Sequence, residues 1–287
     1  MRLVLPALLS LSLVAQDKPA PVRLTPLRVS PAATLTQDLG ISQIKLSFAR
    51  PAVKGRKIWG EVVPFGQVWR TGANAATNLT FSHPCKVAGK EIPAGTYALF
   101  AIPTEKAWTL ILSKQAQIWG AYDYKQDQDV MRFEVMPEVA PFQEYLDYRV
   151  QVEDLDHARV ELTWEKLRVA FPVAFDGKAI YWKHLEDTLA KAPDTDLVPW
   201  YQAAQYCFQT QTHQDKALAW SEKSVKIGES MWNYENRGRV LHWAGRTAEA
   251  IPFMEKAAAL SRGKAPKEWT ENVEKDVAAW KASLKSK

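Results

Sequence analysis

Between Ile44 and Val173 apolar and polar side chains alternate at every second position over short runs, and after Gly177 that pattern stops. A two-residue period puts the apolar groups on one face of an extended strand. Ile44, Leu46 and Phe48 alternate with Lys45 and Ser47, and the signature recurs at Leu79 and Phe81 and over residues 97–102, 108–112, 130–135, 146–152, 158–164 and 167–173. Turn signals separate the runs: Ala88-Gly89-Lys90, Pro93-Ala94-Gly95, and Asp154 to His157. Many short strands in direct succession, with no helix-length segment among them, predict an antiparallel β-sandwich or barrel over residues 34–175 rather than a parallel sheet.

The rear of the chain, residues 176–287, has a helical period. A first helix is predicted over residues 178–191, ended by Pro193. Beyond it the chain echoes itself at an offset of 33 residues, with Tyr201 on Tyr234, Ala217 on Ala250 and Lys223 on Lys256. Two helices per period of this length is the tetratricopeptide pattern, and Gly238, Ala250 and Ala257 stand where such a repeat needs small residues. Trp269, Val273, Val277, Trp280 and Leu284 form one stripe on a final helix that caps the stack. The predicted class is therefore α+β in two segregated domains, an antiparallel β-sandwich followed by an α-helical, tetratricopeptide-like repeat domain.

Ahead of the strands, Arg2 precedes an apolar run from Leu3 to Val14 that is too short to span a bilayer comfortably. A basic start, a short apolar stretch and a small residue at Ala15 predict a signal peptide over residues 1–16, hence export to the periplasm or the medium with no transmembrane segment after its removal. Residues 17–33, with Pro19, Pro21, Pro26 and Pro31, are predicted as a linker or edge segment. The formal net charge of +5 is spread along the chain without a basic stripe, which argues against nucleic acid as a partner. Cys85 and Cys207 fall in different predicted domains, and their spacing favours two inert buried thiols over a disulfide.

Several phrases of the front half resemble a bacterial family of unknown function, DUF2911. They are SPAAT at 30–34, RPAVKGRKIWG at 50–60, VPFGQVWRTGANAAT at 63–77, IPAGTYALFAIP at 92–103 and IWGAYDY at 118–124. The resemblance covers roughly residues 30–173. It implies an exported β domain, with helical repeats in some longer members, and brings no catalytic residue to carry over.

Candidate chemistry concentrates in the same segment. Arg50, Lys54, Arg56 and Arg70 lie among Gly55, Gly60, Gly66 and Gly72, and cationic side chains on such backbone suit a small carboxylate or phosphate ligand. Asn74 and Thr77 add neutral donors; the competing reading is that Arg70 and Asn74 tie the loop together through backbone carbonyls. Trp69, Trp119 and Tyr122 either stack on a sugar or another flat ligand, or fill the core and its rim. Phosphate-loop, dinucleotide-loop and nucleophile-elbow motifs are missing, and the five histidines show no zinc-protease spacing, so neither a cofactor nor a metal is predicted. In the helical part, Asn236, Arg237 and Arg239 face the groove that a repeat stack would present to a protein or peptide partner. The sequence thus points to an exported binding or scaffold protein. The alternative is an envelope hydrolase or carbohydrate-active enzyme with its pocket near Arg70 and Asn74.

Overall fold

The computed structural model describes residues 27–286, so the predicted signal peptide and the first part of the predicted linker lie outside the described residues. Among the described residues ten strands precede six α-helices. The strands are β1 (Ala32–Leu39), β2 (Ser42–Ala49), β3 (Thr77–Phe81), β4 (Cys85–Val87), β5 (Lys90–Ile92), β6 (Gly95–Pro103), β7 (Trp108–Ser113), β8 (Asp129–Val135), β9 (Glu138–Val152) and β10 (His157–Phe175). They form two antiparallel sheets, ordered β1-β2-β3-β6-β7-β8 and β5-β4-β10-β9. Inward residues of both sheets meet in one core, where Ile44, Leu46 and Leu79 of the first pack with Val87, Leu146 and Val160 of the second.

Local chemistry explains the departures from simple alternation. β4 and β5, each too short to show a period, are joined through Ala88 and Gly89, both at positive φ, which is the two-residue turn whose twist suits a hairpin. The runs read as 158–164 and 167–173 are one strand. At Glu165, with φ +55, β10 bulges against β9, and the buried set switches from Leu162 and Trp164 to Val169, Phe171 and Val173. Over β6 and β7 the apolar runs are nearly continuous because both faces are covered: Ala98, Phe100 and Ile111 pack outward against Val68, Ile118, Ala121 and Tyr124 of two loops. Those two loops, 64–76 and 114–128, shape the candidate site.

The helices are α1 (Gly177–Lys191), α2 (Val198–Thr210), α3 (Gln214–Ile227), α4 (Met231–Trp243), α5 (Thr247–Ser261) and α6 (Lys267–Lys285). The 33-residue echo has a direct counterpart. Val198 and Met231 open α2 and α4, Gln214 and Thr247 open α3 and α5, and Ala217 and Ala250 are both fully buried. Gly238 of α4 lets Met254 of α5 approach so closely that a Cβ at Gly238 would meet its Cγ at 2.5 Å. Leu185 and Leu189 of α1 pack on Ala203 at one end of the stack. At the other end Val273 and Val277 of α6 pack on Met254 and Ala258, while Leu284 is exposed, so the predicted stripe fades in the last turn. No described helix is long and apolar enough to cross a membrane.

The strands hand over to the helices at a tight junction. Phe175 donates its N–H to the Asp156 carbonyl at 2.8 Å, Asp176 caps α1 by accepting from the Ala179 N–H at 3.0 Å, and the Asp156 carboxylate lies against Gly177 where any side chain would collide with it.

A candidate ligand pocket beside Arg70

The segment from Pro51 to Ala76 crosses the end of the two sheets with little regular structure, and backbone bonds fix its path. Trp69 exchanges both of its backbone bonds with Ala101 of β6, at 2.7 and 2.8 Å. Thr71 follows in a left-handed conformation, φ +51, which a β-branched residue resists. Three bonds hold it there: its Oγ1 donates to the Leu99 carbonyl at 2.8 Å, and its own carbonyl accepts from Thr77 Oγ1 at 3.0 Å and from the Tyr148 hydroxyl at 2.9 Å. Arg70 stands between these two anchored residues.

Four indoles pack behind this stretch. Trp59 lies 4.8 Å from Trp108 and 5.8 Å from Trp69 between ring centroids, and Trp69 lies 6.1 Å from Trp164 with the rings nearly parallel. Trp69 Nε1 donates to the Gly72 carbonyl at 3.2 Å. Nε1 of Trp59, Trp108 and Trp164 is buried without a hydrogen-bond partner, and so is Nε of Arg70.

Next to these groups opens a cavity of about 500 Å³. Arg70, Lys54 and Arg56 contribute cationic groups, Trp69, Trp164 and Tyr122 aromatic surface, and Val62, Val63 and Pro51 apolar wall. No aspartate or glutamate among the described residues lines it. Tyr122 comes from the 114–128 loop, which Ala75 and Trp119 bridge to the first segment and which Gly120 ties by donating to the Asn74 carbonyl at 3.0 Å. Gly120, at φ +70, leaves room for the Tyr122 ring and for Arg70 Nη1 beside it. The base of this loop is locked by Asp129, whose Oδ2 accepts from Tyr124 at 2.6 Å and from Arg132 Nε at 2.7 Å. Burial, then the bond to the Asp129 carboxylate, pushes the Tyr124 phenol up to about 12.

Five of the nine residues singled out in sequence line the cavity: Lys54, Arg56, Trp69, Arg70 and Tyr122. The remaining four hold its surroundings. Arg50 donates to the Leu146 carbonyl at 3.1 Å and pairs with Asp147 at 3.0 Å, Asn74 donates to the Ser30 carbonyl at 3.2 Å, and Thr77 is buried beneath Thr71. Trp119 is exposed, with the Arg28 guanidinium 5.3 Å over its ring. Arg56 also spends donors on its own loop, giving Nε to the Val53 carbonyl and Nη2 to that of Ala52. Trp164 and the clamp residues Thr71 and Tyr148 were not singled out. Trp164 reads in sequence as an ordinary inward residue of a strand, and only the fold carries it to the cavity wall.

In the helices Asn236 and Arg237 are buried, 5% and 6% exposed, and Arg237 Nη1 donates to the Leu218 carbonyl at 2.7 Å and to Ser221 Oγ at 3.1 Å. Arg239 pairs with Glu235 at 2.8 Å and Asp276 at 3.2 Å. Arg237 and Arg239 thus serve contacts between helices, to α3 and α6, and Asn236 is buried within the stack, so a groove-facing role for the three is not what the structure gives. Both cysteines are buried and free.

A family model described as a protein of unknown function, DUF2911, matches residues 30–173, just over half of the chain. The chain belongs to the DUF2911 family. No curated protein and no solved structure matches it. Apart from Val29, every residue that lines the Arg70 cavity falls inside the DUF2911 region. A second cavity, about 880 Å³, lies where that region meets α1, between Cys85, Ile92, His157 and Phe175. Of its lining groups, His157 pairs with Asp154 outside it, Nδ1 to Oδ1 2.8 Å, and none of its lining side chains holds a buried unpartnered polar atom.

Proposed function

We propose that this chain is an exported binding protein that holds a small organic ligand in the Arg70 cavity and presents its helices to a protein or peptide partner. The observation that carries the ligand reading is Arg70 itself. Its Nε is buried and unpartnered at the wall of an open cavity lined by no acid. Arg50 and Arg56, by contrast, spend donors on backbone carbonyls. Trp69 and Trp164 give the cavity aromatic wall, backed by Trp59 and Trp108.

The partner reading is supported by the helix pairs recurring every 33 residues, which we interpret as two degenerate tetratricopeptide-like repeats, closed by α1 on one side and α6 on the other. In this reading residues 34–175 and 176–287 are separate domains behind a cleaved leader.

Purifying the full chain from its native envelope, denaturing it and weighing what it releases tests the ligand reading. A small molecule is expected from the unaltered protein and not from a folded Arg70→Gln variant, and the same release from both would remove Arg70 from the site. Cross-linking in native cells tests the rest: partner peptides are expected on residues 198–285, and links confined to the strands would refute a recruiting role for the helices. A mature chain that still carries Met1 would refute export through a cleaved leader.

A further inference from the structure

We propose that the ligand of the Arg70 cavity is a carboxylate with an apolar body, an inference that rests on the binding reading above and narrows it to one chemical class. The charge requirement comes from Arg70. A half-buried guanidinium at a wall that carries no acid among the described residues is stabilised when an anion arrives, whereas a neutral ligand leaves the charge uncompensated. Trp164, 1% exposed, stands beside Arg70 as aromatic wall.

The number and kind of donors select among anions. Arg56 has already given Nε and Nη2 to backbone carbonyls, so the Arg70 guanidinium remains for the anion, with Lys54 exposed nearby. Two oxygens on one planar group match a guanidinium fork. A phosphate can use the same fork, but its second charge is commonly met by a helix N-terminus or a cluster of backbone N–H groups, and no residue of α1 to α6 lines this cavity. The apolar body follows from Val62, Val63, Pro51 and Trp69, which supply apolar wall to the same cavity.

The test titrates the full chain with hexanoate, indole-3-acetate and 4-phenylbutanoate, with 4-phenylbutanamide as the uncharged match and phenyl phosphate as the competing anion. Binding is read by calorimetry and by tryptophan fluorescence, since Trp69 and Trp164 report directly. At least one carboxylate is expected to bind saturably, the amide about tenfold or more weakly than its acid, and Arg70→Gln to bring the acid down to the amide. Because Arg70→Gln touches a packed region, Val62→Glu at an exposed wall position serves as a second variant, and it should weaken the acid and spare the amide. Equal affinity of acid and amide, or binding of phenyl phosphate alone, overturns the carboxylate class and leaves the binding function standing. A co-purifying ligand without a carboxyl group does the same. Failure of every probe, with nothing co-purifying, overturns both.

Discussion

The hydroxyl of Tyr148, on β9, donates 2.9 Å to the carbonyl of Thr71, the residue that follows Arg70 on the other side of the core. Tyr148 is buried, and burial raises its phenol far above the usual range, so the group acts as a fixed neutral donor. Tyr148→Phe removes that donor while Thr77 keeps its own bond to the same carbonyl. A loss of about 1 kcal/mol in urea unfolding is expected, and an unchanged midpoint would show that Thr77 alone holds Thr71.

The lock at Asp129 gives a second expectation. Asp129→Asn withdraws the carboxylate shared by Tyr124 and Arg132, at a cost of about 1 to 2 kcal/mol for a partly buried charged hydrogen bond. Tyr124 then loses one of the causes that raise its phenol, although burial, the largest, remains. An ultraviolet titration should record the Tyr124 transition in this variant, and thermal melting the stability.

In the helices, Gly238→Ala puts a methyl group 2.5 Å from Met254 Cγ and 3.3 Å from the Ala250 carbonyl. Overpacking of this kind costs about 1 to 3 kcal/mol. Combined with Met254→Ala, the two losses should sum to less than their separate values, because the smaller side chain vacates the space that the new methyl needs. Helical ellipticity followed through unfolding measures both, and strict additivity would mean that α4 and α5 shift apart instead.

The thiols set the alkaline limit. Burial pushes Cys85 from 9.0 up to about 12, and burial first, outweighing a nearby lysine, pushes Cys207 up to about 11. Between the unfolded and folded values the unfolded chain has released protons that the folded chain keeps, so stability is intact below about pH 9 and falls as pH rises beyond it. Unfolding midpoints at pH 7, 9 and 10.5 should show that decline, smaller in Cys85→Ala. At pH 8 neither thiol of the native protein should react with a thiol reagent, and both should react once it is unfolded.

Wherever one face of a strand meets the core and the other meets solvent, alternation in the chain exposed it, as in β2. It failed where that condition failed. β4 and β5 are three residues each, too short for a period, and the bulge at Glu165 reversed the phase within a single strand. The helices were legible to the register, because Ala217 and Ala250 occupy equivalent buried positions 33 residues apart. For the cavity, charge and glycine concentrated between Arg50 and Thr77 disclosed the local wall. What stayed hidden were contributions from afar, Trp164 on β10 and the Tyr148 clamp on β9, which carry no mark distinguishing them from other inward aromatics.

Every wall of the Arg70 cavity is drawn from residues 29–164, ahead of the first helix. Selectivity for what is held there and the make-up of the helical tail can accordingly drift apart over evolutionary time. Two relatives with dissimilar tails can keep one ligand chemistry, and two with matching tails can differ in theirs.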